Sequence, residues 1–514
     1  MEIDAVGVPS RTTIDTEYCI IGAGPAGLVV AAELCRAGHD VVLLESGSGN
    51  EDASGSDAAQ ELNEGAVLGA PYAGLRATRH RGVGGSTRLW NTPVTGSSGA
   101  KYVPLDACDL AGRWEQAADG WPFPMDELIP WMRRAEGAVG IATFADDARL
   151  VASEPLSIDR FCDNNVRARL YHLGTRDGFI NPLRALLANA SNARLYVHAT
   201  VVNLVERDGV ASILVATDGQ PHWTVRAKRV VLAAGAVENA RLLLVSASRG
   251  GWSGDRSAWL GCGFMEHPRD RSITVRPTSA AHYEALAFFD SRVVPSGNTS
   301  TTVLGRLGLT EQAVVHGHLL NASATFLPNV QPTRERVREV MVRRMGVRGL
   351  RRWLPESGHG WTRHPALARV FDGFTVLLNV EQPPRRENAI TLSDQYDRYG
   401  VPLPKLRWTW HTDDHSTLRR VQALFVAALV HARVGEVTVS RPGQPDPNAH
   451  HHAGTTRMHH DARLGVVNAY GRVHGTEALF VVGASTFPTA GFANPTLTIV
   501  AMALRLADYL HRTH

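Results

Sequence analysis

Three lysines in 514 residues, Lys101, Lys228 and Lys405, leave nearly all of the positive charge to arginine. The formal net charge of +3 is small for a chain of this length and gives no reason to expect a nucleic-acid partner. Cysteine is scarce as well. Cys19, Cys35, Cys108, Cys162 and Cys262 are odd in number, scattered and without a CxxC pair, which argues against a disulfide framework and for a reducing compartment. No apolar run reaches the roughly 18 residues that a membrane helix needs. The N-terminus, "MEIDAVGVPSRTTIDTEYCIIGAG", has no charged start leading into an apolar core and no twin arginine. A soluble cytoplasmic protein with no membrane span is the expectation. No internal repeat or low-complexity tail is visible, and the length suits two or three domains or one large intertwined pair.

Against this background residues 16–47 stand out, reading "TEYCIIGAGPAGLVVAAELCRAGHDVVLLESG". Tyr18 to Ile21 is expected as a short apolar strand, Gly22, Gly24 and Gly27 as a GxGxxG turn, and "LVVAAELCRAG" as a helix ending at Gly38. A second strand, Val41 to Leu44, ends on Glu45. The order has a physical reason. A residue without Cβ lets backbone approach a pyrophosphate, a helix N-terminus favours the negative charge, and an acid about 20 residues on accepts ribose hydroxyls. With strand, turn, helix, strand and acid in register, the stretch predicts dinucleotide binding. NAD and FAD folds share this unit, so the choice rests on later segments. "RHRGVGGSTRLWNTP", residues 79–93, is a second glycine loop suited to a large flat cofactor. Residues 195–244 alternate in period two, turn at Asp208-Gly209 and Asp218-Gly219, and close on "VVLAAGA".

These segments form a set: "IIGAGPAG" with "LLESG", "GVGGST" with "LWN", "GWPFPMDELIPW" at 120, "VVLAAGAVENARLLL" at 230, "LGCGFMEHP" at 260, and "HHHAGTTRM" to "FANPTLT" at the end. In them the chain resembles the glucose/methanol/choline (GMC) oxidoreductases, an FAD enzyme family, in the branch near pyranose oxidase and bacterial sugar dehydrogenases. The resemblance implies an α/β fold with a Rossmann-like FAD-binding domain that includes a β-meander, built from residues 1–98, 190–268 and 446–514. It implies an antiparallel-sheet substrate domain screened by helices from residues 99–189 and 269–445. Period-two segments between 269 and 330 and at 373–382 fit strands of that sheet, and "DDHSTLRRVQALFVAALVHARVG" fits a helix starting after Asp413 or Asp414. The arginine-rich stretch 333–370 reads as a solvated helical face, with an acidic partner or membrane surface as the alternative.

Five of the chain's 22 histidines fall in "HHHAGTTRMHH", residues 450–460. Oxidising an alcohol by hydride transfer to a flavin requires a neutral base aimed at the hydroxyl, and histidine, with a pKa of about 6.5, suits that task. Resemblance to the family's H-x-x-G-T segment selects His451 as the base. The segment "NPTLT" supplies Asn494, which can donate to the substrate oxygen but cannot take its proton. Three successive histidines are expected to point apart, and neither HExxH nor a cysteine pair is present, so no metal site is expected. His450, His452, His459 and His460 are read as supporting or surface residues.

For the cofactor, the resemblance implies Gly22, Gly24 and Gly27 at the pyrophosphate, Glu45 at the adenosine ribose and Val201 at the adenine, with Val202 as its rival. Gly84, Gly85, Ser86, Gly483 and Ala484 approach the flavin side, Ala234 of "VVLAAGA" also borders the cofactor, and Trp90 and Asn91 lie at the flavin's reactive edge. Leu89 stands where some members bond the flavin to a histidine, so FAD is expected to be non-covalent. Glu266 and His267 of "FMEHP" could look like an acid/base pair, but His267 is read as structural. Glu381 and Gln382 read either as sugar contacts or as a solvated strand end. The implied reaction is oxidation of an alcohol on a sugar, glycoside or aminoglycoside-like substrate, with oxygen, a quinone or another acceptor reoxidising the flavin. A non-redox FAD-containing lyase of the same family and a non-sugar alcohol are the alternatives. A biosynthetic and a catabolic role fit equally well.

Overall fold

Apolar runs that barely alternate make strands buried on both faces, the condition of a parallel sheet. Val41–Leu44 is such a strand, buried at every position, and pairs in parallel with Thr13–Ile21 on one side and Ala193–Val197 on the other. The computed structural model describes residues 1–49, 58–94, 97–114, 120–152, 158–218, 220–252, 257–296, 299–330, 371–440, 446–447 and 449–513. The arginine-rich stretch 333–370 lies outside them. The first sheet has eight strands, in the order Glu2–Asp4, Ala193–Val197, Val41–Leu44, Thr13–Ile21, Gln220–Leu232, Val210–Thr217 and Thr200–Arg207. Leu479–Val481 joins the end of Gln220–Leu232 in parallel, which returns the chain's last segment to the sheet its first segment began.

Two boundaries here differ from expectation. The first strand starts at Thr13, not Tyr18, because Gln220–Leu232 is long enough to give Thr13 to Thr16 parallel partners in Thr224 to Ala227. The helix is Pro25–Arg36, and Gly38, with φ of 89°, lies beyond its end in the left-handed conformation that closes helices. The meander forms as its turn chemistry predicts. Asp208 and Gly209 have φ of 52° and 71°, the paired positive values of a hairpin turn whose twist matches its strands.

The second sheet has nine strands, paired antiparallel. Its order is Glu436–Val439, Arg269–Arg276, Phe371–Val380, Ala322–Val330, Thr299–Leu309, Val166–Thr175, Ser97–Tyr102 and Thr92–Val94, with Ser291–Ser296 also on Thr299–Leu309. One face carries Val303, Leu307, Ala324, Phe326, Val376 and Leu378 into a core shared with Leu418, Val421, Phe425 and Leu429 of the helix Thr412–His431. That helix begins at Thr412, ahead of the expected start after Asp413 or Asp414. His411 is its cap and Asp414 reaches back to the His411 N–H at 3.0 Å, so both aspartates sit in the first turn, where the helix dipole favours them. Leu173, Tyr171 and Leu304, on the other face, join the larger core beneath the parallel sheet. Phe179 and Leu183 of Arg176–Asn189 and Leu128 and Met132 of Met125–Ala138 are buried in that same core. Among the described residues no helix is long and apolar enough to cross a membrane.

Candidate active site

The cradle at the end of the parallel sheet is built from backbone. Gly22 has φ of 101°, and a Cβ on Gly27 would stand 1.9 Å from the Gly22 carbonyl oxygen, so the helix can approach the strand only with glycine there. A Cβ at Gly24 would meet nothing within 4 Å. Gly24 is the N-cap of Pro25–Arg36 and supplies no side-chain cap, which leaves first-turn N–H groups to an anion. The second glycine loop docks onto the first: Gly84 N–H donates to the Ala23 carbonyl at 2.8 Å, and a Cβ on Gly85 would lie 3.0 Å from Gly24 Cα. Glu45, only 5% exposed, ties these pieces together. Its Oε2 accepts from Ala23 N–H and its Oε1 from Gly47 and Gly82 N–H, each at 2.9 Å. The Ser46 hydroxyl adds a longer bond to Oε1 at 3.4 Å, so the acceptor position left for a ribose hydroxyl is on Oε2, which has a single donor. An open glycine, an uncapped helix start and a buried acid at the next strand end fit the pyrophosphate and ribose of FAD.

Of the other expected cofactor residues, Ala234 borders this cradle, since a Cβ on Gly22 would stand 2.9 Å from its Cα. Ala234 N–H donates to Asn239 Oδ1 at 2.9 Å just before the helix Gly235–Ser248. Gly483 has φ of 114° and open space where a Cβ would stand, and the Ala484 carbonyl accepts Gly454 N–H at 3.0 Å, which pins the histidine loop to the sheet's last strand. Val201 is half-buried against the larger core, whereas Val202 turns into a separate cluster with Ala216, Val245 and Val401. Ser86 and Asn91 are exposed, Leu89 is 41% exposed, and Trp90 is half-buried edge-on to Tyr102. Among the described residues none of these four bonds to His451 or Asn494.

His451 and Asn494, 43 positions apart, are brought together: Asn494 Nδ2 lies 3.1 Å from His451 Nε2. Asn494 immediately precedes Pro495, the N-cap of Thr496–Arg512. Its Oδ1 is buried without a partner, the mark of a group poised for a ligand. On the opposite edge of the imidazole, His451 Nδ1 lies 2.9 Å from His267 Nδ1. Burial, then the charges of His267 and Arg269, hold His451 well below the ordinary histidine value, so the ring is neutral. Burial likewise pushes His267 and His452 down to about 3.

Beneath the histidines sits Glu266, fully buried and pushed up to about 7 by loss of solvation. Its Oε1 accepts the backbone N–H of His451 at 2.6 Å and of His267 at 3.1 Å, and its Oε2 accepts the Tyr72 hydroxyl at 2.8 Å. Tyr72 also lies 2.8 Å from His452 Nε2. Two readings of this region are corrected. The successive histidines do not all diverge: with φ of 59° at His450, the donor atoms of His450, His452 and Glu266 lie within 4.8 Å of one another. Glu381 and Gln382, each 1% exposed, are no solvated strand end. Glu381 is paired with Arg113, and Gln382 Oε1 accepts Glu266 N–H at 2.9 Å and Trp408 Nε1–H at 3.1 Å. The reading of His267 as merely structural overlooked its bond to His451, and Tyr72 went unnoticed. The only signal for His267 was the pairing of acid and histidine in "FMEHP".

The chain is similar to known flavoenzymes along nearly its whole length. The family model described as FAD dependent oxidoreductase matches residues 17–372, and that described as GMC oxidoreductase matches residues 384–503. The 6'''-hydroxyparomomycin C oxidase of Streptomyces lividus is 24% identical over 95% of this chain and 90% of its own length. The C-glycoside 3-oxidase of Microbacterium trichothecenolyticum is 25% identical over 96% of each. The crystal structure of pyridoxine 4-oxidase from Mesorbium loti superposes with a TM-score of 0.59 at 18% identity, covering 97% of this chain and 100% of that one, which speaks to the fold. The chain belongs to the FAD-dependent oxidoreductases, whose family model spans residues 17–372, and its residues 384–503 match the GMC oxidoreductases.

Proposed function

We propose that the protein oxidises an alcohol group of a sugar, glycoside or aminoglycoside-like substrate, with His451 as general base and Asn494 as the donor that holds the substrate oxygen. The observation that carries this reading is a neutral imidazole facing an asparagine amide at 3.1 Å, with one amide oxygen left unpartnered. An alcohol oxygen set between them accepts from Asn494 Nδ2 and gives its proton to His451 Nε2. FAD, when bound, supplies the acceptor for the hydride lost from the carbon. Gly22, Gly24, Gly27, Glu45, Gly84, Gly85, Ser86, Val201, Ala234, Gly483 and Ala484 hold that cofactor in this reading, with Trp90 and Asn91 at its reactive edge. Residues 1–98, 190–268 and 446–514 form its domain, and residues 99–189 and 269–445 the substrate domain. Leu89 has no nucleophile to offer, so the cofactor is held without a covalent bond. Five cysteines with no disulfide among them suit a reducing, cytoplasmic compartment.

The experiment is anaerobic mixing of the yellow protein with monosaccharides, glycosides and aminoglycosides. Bleaching by at least one is expected; colour unchanged by all of them overturns the reading. Acid precipitation should leave the flavin in the supernatant. His451→Ala should keep FAD and slow bleaching by the roughly 10²- to 10⁴-fold typical of a lost general base. Rapid bleaching by that variant would move the base elsewhere in the cluster. Reoxidation of the bleached enzyme by oxygen, set against a quinone, identifies the electron acceptor.

A further inference from the structure

The two faces of the nine-stranded sheet differ in polarity, although Leu173 and Leu304 stand among the polar residues of one and Asp270 bonds Gln422 on the other. The face against Thr412–His431 is largely apolar. Strand register assigns the other face. Lys101 pairs with Leu173, Leu304 with Tyr171, Arg306 with Arg169, Ser323 with Asn379, and Asn379 with Arg269. Directly paired residues share a face and positions two apart repeat it. Lys101, Arg169, Tyr171, Arg306, Ser323, Thr325, Asn379 and Arg269 therefore stand on one side, and the 2.6 Å bond between the Tyr171 and Ser323 hydroxyls joins two of its strands.

Much of this face is buried without protein partners. Arg306 is 0% exposed, its Nε donates to the Leu170 carbonyl at 3.4 Å, and neither Nη1 nor Nη2 has an acceptor. Arg269 Nε, Thr325 Oγ1 and Asn379 Oδ1 are likewise unpartnered. Buried donors left unpaired cost about 1–3 kcal/mol each, more when charged, so a run of them on one face marks a surface that meets a ligand. That face adjoins the proposed base and its partner. The Arg306 guanidinium lies 4.9 Å from the Tyr171 ring and 4.9 Å from the ring of Phe492, two residues before Asn494. Lys101 Nζ lies 5.6 Å from the Tyr171 ring. Burial first, and then the charge of Arg269, lower Lys101 to about 8, so it still carries its charge at neutral pH; Arg269 also adds to the burial that lowers His451.

The nearby carboxylates are otherwise engaged. Asp106 is paired with Arg167 and Arg169, Asp147 with His172 on the opposite face, and Asp446 with Arg271. Glu266 is held by Tyr72 and two backbone N–H groups. Among the described residues no carboxylate pairs with Lys101 or Arg306. A buried surface with surplus cations attracts an anion and repels a cation.

Resting on the reading of a sugar-type alcohol above, we propose that this face is the substrate platform and that it selects a substrate carrying an anionic group, bound by Lys101 and Arg306. An aminoglycoside, with its ammonium groups, is the class it disfavours. Methyl glucoside, methyl glucuronide and the methyl glycoside of glucosamine share one ring and differ in charge, and glucose 6-phosphate separates a phosphate from a carboxylate. Binding is read by calorimetry on the FAD-loaded enzyme, and reaction by anaerobic bleaching. A charge-assisted hydrogen bond predicts that the glucuronide or the phosphate binds about ten- to a hundredfold more tightly than the glucoside, with the amino sugar weakest. Lys101→Met should collapse that ratio and Lys101→Glu should turn it toward the amino sugar, with FAD absorbance unchanged in both. Equal binding of all charges, tighter binding of the amino sugar, or loss of FAD in place of loss of discrimination overturns the proposal. Bleaching that fails for every sugar while the anionic ones bind overturns the redox reading and supports the platform.

Discussion

The proton of a neutral imidazole sits on one of two nitrogens, and at His451 the neighbours decide which. Asn494 Nδ2 points at Nε2, which assigns the lone pair to Nε2 and the proton to Nδ1, directed at His267 Nδ1. His267 then accepts there and carries its own proton on Nε2, which lies near the Ala490 carbonyl but makes no well-formed hydrogen bond. In the proposed reaction His267 is a positioning residue: it keeps the proton-accepting nitrogen of His451 free and steadies the imidazolium that forms. His267→Asn places an amide oxygen near the lost Nδ1, whereas His267→Leu leaves Nδ1–H of His451 unpaired. The leucine variant should lose about ten- to a hundredfold in bleaching rate, the worth of a charge-assisted hydrogen bond, and the asparagine variant should recover most of it. In the leucine variant the acidic limb of the pH–rate profile should also move to lower pH, because the imidazolium has lost its acceptor. Equal losses in both variants with an unmoved acidic limb would leave His267 a packing residue only.

At the scale of the element, the GxGxxG turn separates fold from cofactor. Gly27→Ala drives a Cβ to within 1.9 Å of the Gly22 carbonyl oxygen, so it should destabilise the domain by about 1–3 kcal/mol or more. Gly24→Ala meets nothing within 4 Å and starts from φ of −76°, which alanine adopts freely. It should melt like the wild type and yet purify colourless, because its methyl occupies the approach of the pyrophosphate. A yellow, fully loaded Gly24→Ala protein would refute the assignment of the cradle. This element was legible in the sequence because its determinants are local: apolar "VVLL" buries both faces, and three glycines have one geometric reason each. The start of Thr412–His431 was not, because a histidine cap is a weaker signal than two aspartates. His451 and Asn494 were singled out through motif resemblance, while His267 lies 184 positions from His451 and touches it only through the tertiary fold. The platform was unreadable for the same reason, since its one-sidedness depends on which strands pair.

Across the whole molecule, the site lies where the parallel-sheet half and the nine-stranded sheet meet, and burying so many titratable groups there couples stability to pH. His267 and His452 sit at about 3, and His451 is also lowered, against an unfolded value near 6.5. Between those limits the unfolded chain takes up protons that the native chain refuses. The histidines' contribution is therefore complete above pH 6.5 and is lost as the pH falls toward 3. Glu266, raised to about 7, and Asp109, also raised, act in the opposite sense, their contribution being present at low pH and lost as the pH rises. With His450, also lowered by burial, four histidines against two acids leave this site's share of stability rising with pH near 5. His452→Gln isolates one share, since glutamine can still bond the Tyr72 hydroxyl but does not titrate. Relative to the wild type, that variant should gain about 2 kcal/mol at pH 5 compared with pH 8, at 1.36 kcal/mol per pH unit over roughly 1.5 units. Glu266 and Asp109 are present in both proteins and cancel in the difference. Urea unfolding of the pair at the two pH values measures it, and an identical stability difference at both would show that His452 does not enter the native state as a neutral, buried ring.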